Sequence, residues 1–254
     1  MIQMQGPWLR VARWENEWGY WEQSRTPLAS LVAVLPLVLF YEVGILLLGP
    51  GEVRNGAEVW LRQLLWLLGL GSYFVLPLAT VGILVGWHVL ARRPARLTAG
   101  LLVGMMLESL GLALLLVGIA HVQNWLMCVS AGGPPAAWPA GEQPGLFARL
   151  VCFAGAGLYE EALFRLMLLP ACFAALVACK LRRGAAAAWA VVLTSLLFSA
   201  AHYVGPLGDE WQLFSFVFRA LAGVVFAVIF LARGFGIAAC THAAFDVLVG
   251  IVGL

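Results

Sequence analysis

Residues 146–175 read LFARLVCFAGAGLYEEALFRLMLLPACFAA, an apolar stretch of membrane-spanning length with four polar residues at its centre: Tyr159, Glu160, Glu161 and Arg165. Placing a carboxylate or a guanidinium at bilayer depth costs about 2.5–3.5 kcal/mol per residue on insertion scales. Charged groups in such a segment are therefore paired, face the interior of the protein and mark a functional site. The stretch predicts a transmembrane helix that carries chemistry.

The composition of the whole chain is that of a membrane protein. Of its 254 residues, 63% are hydrophobic and 11% are charged, and the mean hydropathy is +0.93. These values lie far outside the range of soluble globular domains. The formal net charge of +2 says little about partners, and we expect membrane lipid, and no nucleic acid, among them. The five cysteines form no CxxC pair and are interpreted as small core hydrophobes.

Apolar segments of spanning length follow one another along the chain. They lie at about 28–48, 73–91, 97–120, 146–175, 185–204, 213–232 and 235–254. A shorter amphipathic stretch, 59–68, lies between the first two. The predicted fold class is therefore all-α, a polytopic membrane helix bundle of about seven transmembrane helices. Residues 28–254 are predicted to form this integral membrane bundle as one domain.

The first 27 residues predict an amphipathic N-terminal interfacial segment. Trp8, Val11, Trp14 and Trp18 recur at spacings of three and four, which align them on one face of a helix with charged residues on the other. A helix lying in the membrane interface is one interpretation. An N-terminal arm packed on the bundle is the other, and neither implies catalysis.

Basic residues alternate between the two sides of the predicted bundle. Ten of the fifteen precede the first span or follow the second, fourth and sixth: Arg10, Arg13, Arg25, Arg92, Arg93, Arg96, Lys180, Arg182, Arg183 and Arg233. Because short cytoplasmic loops carry the excess of Lys and Arg, the N-terminus is predicted to be cytoplasmic. Fourteen of the fifteen basic residues are Arg, which hints at a GC-rich genome. We expect a multi-pass protein of a bacterial cell (inner) membrane.

The neighbours Glu160 and Glu161 are predicted to differ in role. Adjacent residues on an α-helix point about 100° apart, so the two carboxylates cannot share one task. Glu161 and Arg165 lie four residues apart on one face, which suits an internal ion pair. Glu160 is left as the carboxylate available as a general base toward water. The alternative is that all three residues join helices in a transporter or a scaffold.

Two later spans contribute further polar residues. Phe198 and His202 share one helical face in the fifth span, as do His242 and Asp246 in the last. The plain alternatives are a solvated histidine near a helix end and a His–Asp hydrogen bond that locks two helices together. Even so, three separate helices offer polar groups that are able to meet in one cavity.

Three short motifs, spaced about forty residues apart, resemble those of the CPBP intramembrane proteases. They are Glu160-Glu161-x-x-x-Arg165, Phe198-x-x-x-His202 and His242-x-x-x-Asp246. That family includes the type II CAAX prenyl endopeptidases and bacterial members linked to bacteriocin self-immunity. The resemblance covers residues 146–250. Each motif is short, but their order, spacing and placement in consecutive hydrophobic helices make the combination specific.

The resemblance implies a role for each residue. Glu160 and His202 would activate a water for attack on a scissile carbonyl, and His242 and Asp246 would stabilise the oxyanion. The family shows Asn or Asp at the last position, and an ionised Asp cannot donate a hydrogen bond to an oxyanion. Asp246 must then be protonated or act by orienting His242. The supporting residues implied by the resemblance are Glu161 and Arg165 as a structural ion pair, and Phe198.

The predicted function is that of an intramembrane endopeptidase acting on a membrane-embedded or lipidated peptide or protein. A non-catalytic membrane scaffold or bacteriocin-immunity-type protein of the same fold is the alternative. A proton-coupled transporter is a third hypothesis. It is weakened because the sequence shows no evident pair of halves with matching broken helices. No cofactor is favoured. If a divalent metal such as zinc is used, its ligands would be Glu160, His202 and His242.

Three further charges fall in predicted spans and need partners by the same energetic argument. They are Glu42, Glu108 and Arg219. We expect a buried pairing of Arg219 with Glu42 or Glu108, and none of the three is predicted to be catalytic.

The predicted orientation raises a difficulty for the site. It places His202 toward the non-cytoplasmic end of its helix, His242 in the cytoplasmic half of another, and Glu160 near mid-depth. Straight helices would not bring these groups together, so we expect tilted or altered helices if they do meet.

Overall fold

The computed structural model describes residues 19–49, 56–92, 96–131, 145–205 and 208–253. Within these ranges the chain is built from helices and contains no strand. The helices are α1 (Tyr20–Ser24), α2 (Pro27–Leu48), α3 (Gly56–Leu67), α4 (Val75–Ala91), α5 (Ala99–Ala131), α6 (Leu146–Gly155), α7 (Leu169–Ala178), α8 (Arg183–Ala201), α9 (Leu213–Arg233) and α10 (Phe235–Val247). The all-α class is confirmed.

The predicted spans correspond closely to these helices. Six helical segments in the described residues are long and apolar enough to cross a membrane, with 18 to 33 residues each. The remaining predicted span is the shorter apolar helix α4, which has 17 residues. α5 runs eleven residues beyond the predicted end at 120, and 59–68 falls on α3. A polytopic helical membrane bundle is therefore confirmed.

The predicted interfacial segment 1–27 falls mostly on residues 1–18, which lie outside the described residues. The part that is described contains the short helix α1 and the start of α2. Thr26 caps α2, since its hydroxyl accepts a hydrogen bond from the Ala29 amide at 3.2 Å. Pro27 then occupies the first turn, where its missing N–H costs nothing.

The segment that follows α6 departs from regular α-helix where the charged motif lies. Ala156–Glu160 and Ala162–Leu168 are π-helical, with Glu161 between them, and α7 continues from Leu169. π-Helical turns within α-helices are rare and are frequently found at functional sites. The wider turns alter the directions of Glu160 and Glu161 relative to a straight α-helix. The altered helix expected from the depth argument is thus present.

Gly157 lets this π-helical segment approach α10 closely. A Cβ at Gly157 would lie 2.7 Å from the carbonyl oxygen of Ala239 and 2.7 Å from the Cβ of Ala243. Only a residue without a side chain fits there. α10 itself begins after a single-residue connection at Gly234, whose φ is +88°. The two glycines place His242, one turn before Asp246, against the helix that carries the glutamates.

Buried charges outside the central site are paired within two clusters. In the first, Glu42 accepts a hydrogen bond from the Tyr159 hydroxyl and lies 3.9 Å from Arg62 Nη2. Arg62 is also paired with the buried Glu58. This cluster connects α2, α3 and the first π-helical segment.

The second cluster ties α1 to the end of α9. Arg233 Nε lies 2.5 Å from Glu108 Oε1, and Arg233 Nη2 donates to the hydroxyl of Ser24 at 2.7 Å. Arg219 is paired with Asp209 instead. The expected pairing of Arg219 with Glu42 or Glu108 is therefore wrong, because both acids already have partners closer in the fold.

Candidate active site

Glu160 lies between two imidazoles. Its Oε2 atom is 3.8 Å from Nε2 of His202 and 3.8 Å from Nε2 of His242. Each separation exceeds a direct hydrogen bond. A water oxygen about 2.8 Å from both atoms of either pair would bridge it. Three side chains from three different helical segments therefore meet at one carboxylate oxygen.

His242 also contacts the second glutamate. Its Nδ1 lies 2.8 Å from Glu161 Oε1, and both residues are buried. Because Glu161 Oε1 also lies 2.9 Å from Arg165 Nη1, this carboxylate is an acceptor and the proton resides on His242 Nδ1. The two glutamates differ in their contacts, as the sequence predicts, yet they share one neighbour. One imidazole reaches both of them, through its two nitrogens, across the π-helical turn.

The Glu161–Arg165 contact follows the four-residue spacing in the sequence. Arg165 is 2% exposed and Glu161 fully buried. The guanidinium also donates to the carbonyl oxygen of Gly223 at 3.2 Å and lies 4.3 Å from the centroid of Phe198. Arg165 thus compensates the charge of Glu161 inside the bundle, and Phe198 covers the guanidinium.

Aromatic rings hold both imidazoles in position. Phe226 stacks on His242 with centroids 4.5 Å apart and ring planes 17° apart. Phe198 meets His202 edge-to-face at 5.0 Å and His242 at 6.0 Å. Phe226 was not identified from the sequence. Its position in a helix rich in phenylalanine offers no signal that separates it from ordinary core residues.

His202 follows directly after α8 and caps its last turn. Its Nδ1 lies 2.8 Å from the Phe198 carbonyl oxygen, and because a carbonyl only accepts, Nδ1 carries the proton. Nε2 of the neutral ring is then an acceptor directed toward Glu160. Burial lowers the pKa of His202, partly opposed by the negative charge of Glu160. The ring is therefore kept in the neutral form that is able to take a proton.

Asp246 lies one helical turn after His242, with Oδ2 3.7 Å from His242 Nε2. This distance is too long for a hydrogen bond, so the simple His–Asp bond considered as an alternative is absent between these two residues. The hydrogen bond of His242 goes to Glu161 instead.

These groups line a cavity of about 190 Å³. That is roughly the volume of six water molecules at about 30 Å³ each. Glu160, His202, His242 and Asp246 all contribute to its wall, which is otherwise largely aromatic and apolar. The sequence-predicted residues therefore converge despite the expected difference in depth. A further charged wall residue is Arg219, for which the sequence analysis predicted a buried pairing and no catalytic role.

Glu160, His202 and His242 are the ligands that a zinc ion would use if one were bound. Among the residues that the structure describes, no group of three His, Cys, Asp or Glu side chains is arranged so as to hold a metal ion. In the suggested donor set, Glu160 Oε2 lies 3.8 Å from Nε2 of His202 and 3.8 Å from Nε2 of His242.

The fold and the site define a class: a polytopic helical membrane protein with a buried glutamate–histidine centre. Residues 142–248 match the family model described as type II CAAX prenyl endopeptidase Rce1-like. This part of the chain, which contains every motif residue, is similar to that family, and the resemblance drawn from the motifs is confirmed there. No curated protein and no solved structure gives a significant match to the chain.

Proposed function

We propose that the protein is an intramembrane endopeptidase in which Glu160 and His202 activate a water for peptide-bond hydrolysis. The observation that carries this proposal is the position of Glu160 Oε2, 3.8 Å from both imidazole Nε2 atoms on the wall of one cavity. The match of residues 142–248 to a CAAX protease-type family supports it. The substrate class is a membrane-embedded or lipidated peptide or protein.

The proposed reaction begins with a water held between Glu160 Oε2 and His202 Nε2. As the water oxygen attacks the scissile carbonyl carbon, Glu160 takes one proton from the water. His202 Nε2 accepts a hydrogen bond from the other O–H and so orients the water. The carbonyl π electrons move onto oxygen and give a tetrahedral oxyanion. The C–N bond then breaks, and the proton held by Glu160 passes to the departing amine. One water is consumed, and a carboxylic acid and an amine are released; the acid then loses its proton to the amine or to solvent.

Supporting residues have distinct tasks in this scheme. Glu161 holds the Nδ1–H of His242 and so orients that ring toward the cavity. Arg165 neutralises Glu161, which makes the buried carboxylate tolerable. Asp246 Oδ2 lies 3.7 Å from His242 Nε2 and helps to orient the same imidazole ring. The scheme requires no metal or organic cofactor.

The proposed location of the protein is a membrane. The six long apolar helices support an integral multi-pass protein in contact with lipid. We propose a bacterial cell membrane, with the N-terminus on the cytoplasmic side, from the arginine-rich composition and the alternation of basic loops.

Cleavage by the purified protein in liposomes tests this proposal. The probes are a prenylated peptide ending in a CAAX sequence and an unmodified peptide with about 20 apolar residues. We expect mass spectrometry to detect cleavage of at least one by the parent. Glu160→Gln, which keeps the shape but removes the base, and His202→Ala are each expected to lower the rate by at least about 10²-fold.

Glu210→Gln is the matched control, because Glu210 is exposed outside the helices and its removal should leave the rate unchanged. Equal cleavage by the parent and Glu160→Gln would reject the proposed base. An inactive parent that is folded would favour the scaffold or immunity-type alternative.

A further inference from the structure

Arg219 is a cavity residue that the scheme above leaves without a role. It lies on the same wall as Glu160, His202 and Asp246. Its Nη2 is paired with the carboxylate of Asp209, while its buried Nη1 has no hydrogen-bond partner among the described residues. A guanidinium carries five N–H donors and no acceptor, so one ion pair leaves most of its donors available.

The ion pair links Arg219 to the segment that holds His202. The backbone N–H of Asp209 donates to the carbonyl oxygen of His202 at 2.8 Å. The Arg219 guanidinium also lies over the ring of Tyr203, 5.4 Å from its centroid. Asp209 and Tyr203 therefore hold the cation in a defined position beside His202.

The two residues proposed by resemblance for the oxyanion are donors only in particular protonation states. With Nδ1–H committed to Glu161, the neutral ring of His242 presents an acceptor at Nε2. Its imidazolium would present a donor at Nε2, where Glu160 Oε2 and Asp246 Oδ2 lie 3.8 and 3.7 Å away. An ionised Asp246 presents acceptors alone.

We propose that Arg219 is a further catalytic residue, whose guanidinium donates a hydrogen bond to the oxyanion that forms on the scissile carbonyl. This inference rests on the proposed hydrolysis. A guanidinium offers a fixed, planar set of N–H donors, and Arg219 meets the developing negative charge as a preorganised donor. No bond is made or broken at Arg219. The contact strengthens as the carbonyl π electrons move onto oxygen and weakens when the C–N bond breaks.

Kinetics of Arg219→Gln in the liposome assay test the inference. Loss of one preorganised donor lowers kcat by about 10²–10³-fold. Because the contact forms in the transition state, KM should stay within about threefold of the parent value. Arg183→Gln is the matched control, because Arg183 is exposed at the start of α8. The kcat of this variant should equal that of the parent.

A second substitution separates an oxyanion role from a structural one. In Arg219→Gln with Asp246→Asn, the new amide supplies an uncharged N–H donor on the same cavity wall. We expect this double variant to recover at least about tenfold in kcat over Arg219→Gln, as expected for coupled residues in one site. If Arg219→Gln does not fold, Arg219→Lys takes its place, with an expected fall in kcat of about tenfold because its point charge lacks the planar fork.

Three results would overturn the inference while leaving the proposed protease intact. The first is unchanged kcat in Arg219→Gln. The second is a raised KM with unchanged kcat, which would show that Arg219 binds a ground-state anion of the substrate. The third is a fall in kcat that Asp246→Asn does not restore. An inactive parent enzyme would instead remove the proposed function, and this inference with it.

Discussion

The imidazole of His242 and the carboxylate of Glu161 are joined by a buried hydrogen bond of 2.8 Å, across 81 residues of sequence. It fixes the proton on Nδ1 and directs Nε2 toward Glu160, 3.8 Å away. The same carboxylate is held by Arg165 at 2.9 Å. The orientation of the ring that faces the cavity thus depends on an ion pair located behind it.

Removing the charge of Glu161 should destabilise the fold. In Glu161→Gln, the guanidinium of Arg165, which is 2% exposed, loses its counter-ion in the bundle interior. Breaking a buried pair by removing one partner costs about 3–5 kcal/mol. We expect a lower yield of folded protein and a lower thermal unfolding temperature in detergent. Glu210→Gln provides the comparison, and equal unfolding temperatures for the two variants would contradict the assignment of a structural pair.

The fall of kcat at low pH should reflect the protonation of His202. Burial lowers its pKa below the ordinary value of 6.5, with the charges of Arg219 and His242 acting in the same direction and Glu160 opposing them. The neutral ring is the active form, so kcat should fall as the pH drops through a midpoint below 6.5. Because the unfolded chain binds this proton at higher pH than the folded one, stability also declines on acidification.

Arg219→Gln removes one of the charges that lower the pKa of His202, so it should move the acid midpoint to higher pH. Initial rates of liposome cleavage across the pH range provide the measurement. A parent midpoint at or above 6.5 would be inconsistent with a buried neutral His202.

Gly157→Ala should disturb the site without changing any polar group. The added Cβ would meet the Ala239 carbonyl oxygen and the Ala243 Cβ at 2.7 Å, so the π-helical segment must move away from α10. Overpacking of this kind costs about 1–3 kcal/mol, and small misplacements of catalytic groups lower rates steeply. We expect a lower unfolding temperature and at least about tenfold slower cleavage. In Gly111→Ala, where the Cβ meets nothing within 4 Å, both values should match the parent.

A strong chelator should leave cleavage unchanged. The proposed scheme uses Glu160, His202 and water, so prior incubation with EDTA or 1,10-phenanthroline is expected to alter the rate by less than about twofold. Loss of activity that added zinc restores would show that the metal-free scheme is incorrect.

Arg233→Gln should release the N-terminal helix α1 from the bundle. Arg233 pairs with Glu108 at 2.5 Å, donates to Ser24, and lies 3.5 Å from the centroid of Trp21. Without these contacts, trypsin should cut after Arg25 faster than in the parent, because local opening becomes easier. Limited proteolysis followed by mass spectrometry measures the rate. Unchanged digestion, relative to Arg183→Gln, would argue against this anchoring role.

Much of the fold could be predicted because hydropathy and spacing are local properties. α2 begins and ends within a few residues of its predicted bounds. The same holds for each of the four spans from Leu146 onward, α9 among them. The four-residue spacing of Glu161 and Arg165 likewise predicts their contact within one segment. The π-helical turns were not predicted, since no residue pattern distinguishes them from α-helix in an apolar run.

The sequence by itself determined that this is an all-helical membrane protein with charges inside its spans, because the cost of burying those charges restricts where they occur. Tertiary structure decided which partners they have. Arg219 pairs with Asp209 instead of Glu42 or Glu108, and His242 makes its hydrogen bond to Glu161 instead of Asp246. The physical reason is that Coulombic and hydrogen-bond energies depend on distance in space. For residues far apart in sequence, those distances are set by helix tilt, π-helical turns and close contacts at glycine.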